Sequence, residues 1–196
     1  MKYILIAFII MAAISCNNED SHNGDDFFED GKYRLAIEAY STYLETHPDH
    51  KKSIYNRGRS FEEIGETGKA ISDYKKLLKI DPKYINAYLS LAKVSYNNGD
   101  YNKALIYIGD AKDLNENSAQ AHFLSGRAEH QLGYFDQALE SYNNAITINR
   151  DFGEAYLYRG AVKIGQEKLR SACEDFKFAK SLGVPEANKA IKDYCD

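Results

Sequence analysis

Small and large apolar residues recur along this chain with a period of 34 residues. Each period holds an alanine at the same point: Ala36, Ala70, Ala104, Ala138 and Ala172. Four residues later stands a large side chain: Tyr40, Tyr74, Ile108, Tyr142 and Phe176. Twelve residues before each alanine stands another small residue: Gly24, Gly58, Ala92, Gly126 and Gly160. Residues four apart share one face of an α-helix, so this pattern predicts pairs of closely packed helices whose large residues fill the space between repeats.

Glycine and proline mark the predicted ends of these helices. Left-handed backbone is easiest for glycine, so the turn between the two helices of a repeat is predicted at Gly31, Gly65, Gly99 and Gly133. In the fifth repeat we expect the turn glycine to be displaced to Gly165. The repeats then span residues 17–50, 51–84, 85–118, 119–152 and 153–186. A final amphipathic helix at residues 187–196 is expected to cap the last apolar face.

This 34-residue arrangement of small, small and aromatic positions resembles the tetratricopeptide repeat, a helix–turn–helix unit. The resemblance implies an all-α fold: a right-handed superhelix of about five repeats over residues 25–186, followed by the capping helix. The family resemblance also implies a mode of action, because the first helix of each repeat lines a concave groove that holds a protein partner. The first repeat opens with a short acidic segment, "DDFFED", so residues 16–24 are expected to form a polar tether.

The first sixteen residues follow a different pattern. Lys2 precedes the apolar run "YILIAFIIMAAI", which is too short for a helix across the ~30 Å hydrocarbon core and is typical of a secretory signal peptide, residues 1–15. "AISC" resembles the lipobox of bacterial lipoproteins, which implies that Cys16 is lipidated and that the protein goes on to the outer membrane. A buried thiol and a reactive nucleophile are the alternatives, but the polar, acidic residues after Cys16 supply neither a core nor a base.

Composition narrows the classes of function. The net charge is -4 and no basic run occurs, which argues against general nucleic-acid binding, because such binding depends on neutralising phosphates. The segment "EEIGETGKA" lacks the first glycine and the Ser or Thr of a phosphate-binding loop, and no other enzyme motif is present. The histidines and cysteines form no set of three or four metal ligands at suitable spacing, so we expect no metal and no cofactor.

Two further cysteines, Cys173 and Cys195, lie about eleven residues on either side of the turn at residues 182–186. If the flanking helices are antiparallel, the two thiols come level. In an exported, oxidising compartment a disulfide would then tie the cap to the last repeat. The alternative is a pair of small core residues, since Cys173 follows the packing residue Ala172, and both interpretations are open at this point.

Carried onto this chain, the groove positions of the family predict a peptide-binding surface: Lys52, Tyr55, Asn56, Arg59, Lys93, Tyr96, Phe123, Arg127, His130 and Tyr158. The ninth position of three successive repeats is a cation: Arg59, Lys93 and Arg127. This row of cations favours an extended peptide with acidic side chains or a C-terminal carboxylate, which arginine binds through two parallel hydrogen bonds. The alternative is that these residues are ordinary solvated charges.

These inferences combine into a lipid-anchored, non-enzymatic adaptor that binds a protein or peptide partner at the bacterial cell envelope, facing either the periplasm or the surface. Three other functions are open. The chain could be a glycan-binding or accessory subunit of an uptake or secretion complex, with its aromatic residues stacking on sugars. It could self-associate through its convex face or its cap. It could also be an enzyme with an unrecognised site, although no paired carboxylates or nucleophile–base spacing support that function.

Overall fold

The computed structural model describes residues 19–195. Over this range the chain forms eleven α-helices and no strand. The helices are α1 Glu19–Glu29, α2 Tyr33–Thr46, α3 Lys51–Glu63, α4 Thr67–Ile80, α5 Ile85–Asn97, α6 Tyr101–Leu114, α7 Ala119–Gln131, α8 Phe135–Ile148, α9 Gly153–Gly165, α10 Leu169–Ser181 and α11 Glu186–Tyr194. Helices α1 to α10 form five successive pairs, and α11 follows the last pair. The predicted all-α fold of helix–turn–helix repeats is confirmed.

The chain divides into two compact units, one ending at Ala87 and the other beginning at Tyr88. In the first unit α1 packs on α2, α2 on α3, and α3 on α4. In the second unit α7 packs on α8 and α9 on α10, while α6 contacts α7 and α8 contacts α9. Each pair therefore covers the apolar face of the next pair in its unit, as expected of a repeat array.

Left-handed backbone closes the turn between the two helices of each repeat. As predicted, it falls with φ between 72° and 79° on Gly31, Gly65, Gly99 and Gly133. In the fifth repeat the prediction is wrong, because Gly165 is the last residue of α9 and Glu167 takes the left-handed position with φ of 60°. Residue 167 keeps the regular spacing from Gly133, so the geometry of the repeat outweighs the local preference for glycine.

Glycine faces an aromatic ring where paired helices come closest. A Cβ built on Gly126 would lie 2.7 Å from the Tyr142 ring, and the same crowding recurs in the first, second and fifth repeats. Real atoms do not approach so closely, so glycine is what allows these helices to meet over a large side chain. In the third repeat the two positions hold Ala92 and Ile108, both buried, where a smaller partner accommodates a methyl group.

The N-terminal end of the described chain is helical. Helix α1 begins at Glu19, earlier than the predicted start of the repeat array at residue 25. Gly24 is buried against the Tyr40 ring, so part of the predicted tether packs with the first repeat. Cys16 and the predicted signal peptide lie outside the described residues. None of the described helices combines the length and the apolar character needed to cross a bilayer.

Helix α11 closes the C-terminal end of the second unit. Ala187 on this helix is buried in an apolar cluster with Ala179 and Val184. A disulfide joins Cys173 of α10 to Cys195, which follows α11, over a sequence separation of 22. The capping helix is therefore held both by apolar packing and by a covalent link to the helix beneath it.

Candidate functional site

Tyr40, one of three tyrosines that share a position in the repeat, anchors a polar network in the first unit. Its hydroxyl donates to Asp25 Oδ1 at 2.7 Å, and Lys52 and Asn56 donate to the same carboxylate at 2.6 and 2.9 Å. Burial pushes the pKa of Asp25 up, but hydrogen bonds from Lys52, Tyr40 and Asn56 outweigh burial, so the pKa lies below its ordinary value. The polar atoms of Lys52 and Asn56, two predicted groove residues, are thus engaged within the chain.

The second tyrosine of this position, Tyr74, also donates to a carboxylate, that of Glu62, at 2.9 Å. Its ring packs against Tyr55, another predicted groove residue, with 5.9 Å between the ring centres. Exposed Arg59 lies over two aromatic rings, with its guanidinium carbon 4.4 Å from the centre of the Phe28 ring and 6.0 Å from that of Tyr55. Within the described chain no carboxylate pairs with Arg59.

Arg127 is held by aromatic rings in the second unit. We call the surface formed by the first helix of each repeat the first-helix face; in this unit it is formed by α5, α7 and α9. The guanidinium carbon of Arg127 lies 4.2, 5.2 and 5.9 Å from the ring centres of Tyr96, Tyr158 and Phe123. The buried Nε of Arg127 has no hydrogen-bond partner, and no described carboxylate forms an ion pair with this side chain. Cation–π attraction therefore orients a guanidinium whose donors are not used within the described chain.

Two predicted groove residues beside Arg127 are less accessible than expected. Phe123 is only 7% exposed and packs on the Phe152 ring, with 4.7 Å between the ring centres. His130 packs edge-on against Phe135 at 5.8 Å. Burial lowers the pKa of His130, so its imidazole is uncharged at neutral pH and adds no positive charge to Arg127.

The third tyrosine, Tyr142, has a hydroxyl group without a partner. Its side chain is fully buried, and its hydroxyl makes no hydrogen bond with any described residue. The Tyr142 ring lies 6.1 Å from Phe123 and 6.3 Å from Tyr158, among the rings that hold Arg127. Burial raises the pKa of Tyr142, so the hydroxyl stays protonated and can donate. A buried hydroxyl without a partner costs free energy, which makes this group unusual within the array.

A cavity of about 380 Å³ in the second unit is lined in part by Tyr158. Its lining also includes Leu157, residues of the turn before α11 and three acidic residues: Asp151, Glu154 and Glu186. Like charges repel, so these three acidic residues disfavour an anion in the cavity. Tyr158 therefore borders both this cavity and the ring cluster around Arg127.

The predicted row of cations is divided between the two units. Arg59 belongs to the first unit, whereas Lys93 and Arg127 belong to the second. Lys93 is exposed on α5. The structure brings Tyr96, Phe123, Arg127 and Tyr158 together within one unit. A continuous row over all three repeats stays a prediction.

Sequence reasoning missed two buried ion pairs. Asp73 accepts two hydrogen bonds from Arg57, at 2.8 and 2.7 Å, and Asp175 accepts two from Arg159, at 2.9 and 2.6 Å. Asp175 also pairs with Lys163 at 2.7 Å. Both Arg–Asp pairs are 16 residues apart and occupy the same positions of their repeats. Their carboxylates neutralise these arginines, in contrast to Arg127.

Metal binding has no structural support within residues 19–195, where no group of three His, Cys, Asp or Glu side chains is arranged to hold an ion. The imidazoles of His47 and His50 instead pack on Tyr43, at 4.3 and 5.1 Å between ring centres. His50 also caps α3, accepting from the Ser53 backbone. These histidines therefore have structural contacts of their own.

Comparison with protein families identifies the repeat. Models described as tetratricopeptide repeat and TPR repeat match residues 23–85 and 126–166. A model described as anaphase-promoting complex, cyclosome, subunit 3 matches residues 63–145. A search of curated proteins gives no significant match. The matched segments together span residues 23–166, from within α1 to the end of α9.

Solved structures share this fold over most of their length. A crystal structure of MamA is 28% identical, covers 85% of this chain and 96% of that chain, and superposes with a TM-score of 0.71. YrrB, described as a TPR protein with an unusual peptide-binding site, is 21% identical over 93% of this chain and 97% of that chain, with a TM-score of 0.68. PilW, described as a widely conserved type IV pilus biogenesis factor, is 16% identical over 85% and 77%, with a TM-score of 0.76. The chain therefore contains tetratricopeptide repeats and is a scaffold of the type that mediates protein–protein interaction.

Proposed function

We propose that this chain is a lipid-anchored, non-catalytic adaptor of the bacterial cell envelope that holds a protein or peptide partner on its first-helix face. The partner carries acidic side chains or a C-terminal carboxylate. The anchor is Cys16, supported by the apolar run that ends in "AISC". The outer membrane is the expected location.

One observation carries the binding proposal: Arg127 presents an uncompensated guanidinium on a platform of three rings. Arg57 and Arg159, which have structural roles, are each neutralised by an aspartate at hydrogen-bonding distance. A cation whose hydrogen-bond donors have no acceptor in the chain is suited to an acceptor from outside, and aromatic side chains with arginine are typical of binding hot spots. The description of YrrB as having a peptide-binding site supports the same use of this fold.

Affinity capture from native membranes tests this function. Wild-type protein is compared with Arg59→Gln and Arg127→Gln, singly and together, after confirming unchanged helicity and Tm for each variant. Arg170→Gln is the matched control, because Arg170 is 96% exposed and makes only a long contact of 3.7 Å with Glu174. We expect a cross-linked protein that is retained by wild type and Arg170→Gln and lost with Arg127→Gln. Equal capture by all variants would show that the partner does not bind through Arg59 or Arg127 and that the interface lies outside the first-helix face.

A further inference from the structure

The three tyrosines that share a position in the repeat differ in what accepts their hydroxyl proton. Tyr40 donates to Asp25 and Tyr74 donates to Glu62, whereas Tyr142 has no acceptor among the described residues. Phe176 fills the same position in the fifth repeat and is also buried, so packing at this point needs no hydroxyl. The hydroxyl of Tyr142 therefore costs desolvation without an intramolecular hydrogen bond to offset it.

The charge beside these tyrosines also changes between repeats. The ninth residue of the first repeat is Asp25, which accepts from Tyr40; the ninth residue of the fourth repeat is Arg127. The carboxylate of one repeat is thus replaced by a guanidinium in the other. Around Tyr142 the chain supplies two sets of donors, the N–H groups of Arg127 and the O–H of Tyr142, and no described residue accepts a hydrogen bond from the Arg127 Nε or from that hydroxyl.

We propose that Arg127 and Tyr142 together form a receptor for one carboxylate of the bound partner. This inference rests on the proposed function and names the donor groups that would bind the partner's negative charge. The guanidinium donates to the carboxylate, the Tyr142 hydroxyl donates to the same group, and Tyr96 and Tyr158 cover the apolar atoms next to it. Asp25 is an example of such binding within the chain, since its carboxylate accepts hydrogen bonds from a tyrosine hydroxyl and two nitrogen donors.

Access to the receptor depends on the Arg127 side chain. Arg127 is half-buried and Tyr142 is fully covered, so a carboxylate can contact the guanidinium first, and contact with the hydroxyl requires the arginine side chain to move. Glu129 is the competing acceptor within the chain, because it lies in electrostatic range of Tyr142 and its Oε2 has no hydrogen-bond partner. The experiments below distinguish a carboxylate of the partner from the carboxylate of Glu129 as the acceptor.

The melting temperature of the free protein gives the first test. Tyr40→Phe and Tyr74→Phe each remove a hydrogen bond and leave a carboxylate with one donor fewer, so we expect each to lower Tm. Tyr142→Phe removes a hydroxyl with no partner, so we expect Tm to be unchanged or higher. A loss of Tm for Tyr142→Phe equal to that for Tyr74→Phe, abolished in a Glu129→Gln background, would show that Glu129 already satisfies the hydroxyl and would overturn the proposal.

Binding of small carboxylates gives the second test, read from the NMR signal of the Arg127 Nε–H group, which is assigned by its loss in Arg127→Lys. The probes are N-acetyl-phenylalaninate, which presents a C-terminal carboxylate, N-acetyl-glutamate α-amide, which presents a side-chain carboxylate, and uncharged N-acetyl-phenylalaninamide. We expect a saturable shift with one or both carboxylates and none with the amide. The carboxylate that binds more tightly shows whether the receptor prefers a C-terminal or a side-chain carboxylate.

Variants assign the interaction to the two residues. We expect Tyr142→Phe to weaken carboxylate binding about three- to tenfold, as for loss of one hydrogen bond, while Arg170→Gln leaves it unchanged. Equal shifts with acid and amide, or equal affinity in Tyr142→Phe, would overturn the receptor. If wild type and Tyr142→Phe capture the same membrane partner equally, the receptor fails and the adaptor function stands; if wild type captures no partner through the first-helix face, the adaptor function fails.

Discussion

Residue 167 carries a backbone cost that the other repeats avoid. Its φ of 60° is the left-handed conformation that the first four repeats reserve for glycine. A residue with a Cβ costs about 1–2 kcal/mol there, and the greater freedom of unfolded glycine offsets part of that difference. We therefore expect Glu167→Gly to raise the free energy of unfolding by about 0.5–1 kcal/mol, measured by chemical denaturation followed by circular dichroism.

The reverse substitution in the neighbouring repeat is the matched control. Gly133 has φ of 79°, and nothing lies within 4 Å of a Cβ built on it, so Gly133→Glu reports backbone strain without a clash. We expect it to lower the free energy of unfolding by about 1 kcal/mol. If Gly133→Glu were destabilising and Glu167→Gly had no effect, residue 167 would be unstrained in solution and the turn of the fifth repeat would differ from the others.

Residue identity also explains what the apolar pattern could not predict about the site. The pattern gives the position of Tyr142 because a large ring is needed there, but it does not distinguish tyrosine from phenylalanine. The choice of tyrosine in three repeats, against Phe176 in the fifth, is the signal that a hydroxyl has a polar role. The Arg57–Asp73 pair left a similar signal, since the same two residue types recur at the same positions in the fifth repeat.

Among the elements, the helices were the most predictable part of the chain and their ends the least. A regular alternation of small and large residues is a packing requirement that each repeat must satisfy, so it determines which segments are helices. Helix α1 was predicted too short because its sequence is acidic, yet burial of Gly24 against Tyr40 extends the packed region toward the N-terminus. Tertiary packing here outweighs local composition.

Helix α11 is short and is joined to α10 by a disulfide. It has nine residues, too few for an isolated helix to be stable in water, and Ala187 is its one buried residue. The disulfide between Cys173 and Cys195 closes a loop with a sequence separation of 22, for which the expected stabilisation is about 3 kcal/mol. We expect Cys195→Ser to lower the free energy of unfolding by about this amount and to increase hydrogen exchange in α11 first.

Reduction provides the control for this prediction. Reducing agent should destabilise the wild-type protein to a similar extent and leave Cys195→Ser unchanged. Exchange in the helices of the first unit, which contain neither cysteine, should not respond to either treatment at early times. Labelling of both thiols in native protein purified without reductant would contradict the disulfide and return both cysteines to the role of small packing residues.

At the scale of the whole molecule, the repeat pattern predicts architecture far better than it predicts the partner. The period of small and large residues determines which helix faces pack, and those faces account for the buried glycine–aromatic contacts such as Gly126 with Tyr142. Exposed positions of the first-helix face, such as Arg59, lie outside those glycine–aromatic contacts, and in our proposal they serve partner binding. Arg127 could be predicted to lie there, whereas its lack of a carboxylate partner depends on which side chains the fold brings near it.

The remaining whole-molecule property is where the adaptor is held. In our proposal attachment depends on acyl chains on Cys16, and each buried methylene contributes about 0.8 kcal/mol, so more than one chain gives lasting attachment. We expect the full-length protein, expressed in a Gram-negative host, to incorporate a clickable palmitate analogue and to enter the detergent phase of Triton X-114. Cys16→Ser should abolish both properties and leave a larger precursor that retains residues 1–15.

Cys195→Ser is the matched control, because it also removes one cysteine but should keep the label and the detergent partitioning. The two substitutions therefore separate lipidation from loss of a thiol in general. Two results would contradict the lipid anchor at Cys16. One is wild-type protein that takes up no label, and the other is Cys16→Ser protein that still partitions into detergent. The carboxylate receptor is built from residues 96–158 and does not depend on Cys16, so capture of a partner through Arg127 could persist without the anchor. The scaffold would then reach its partner by diffusion.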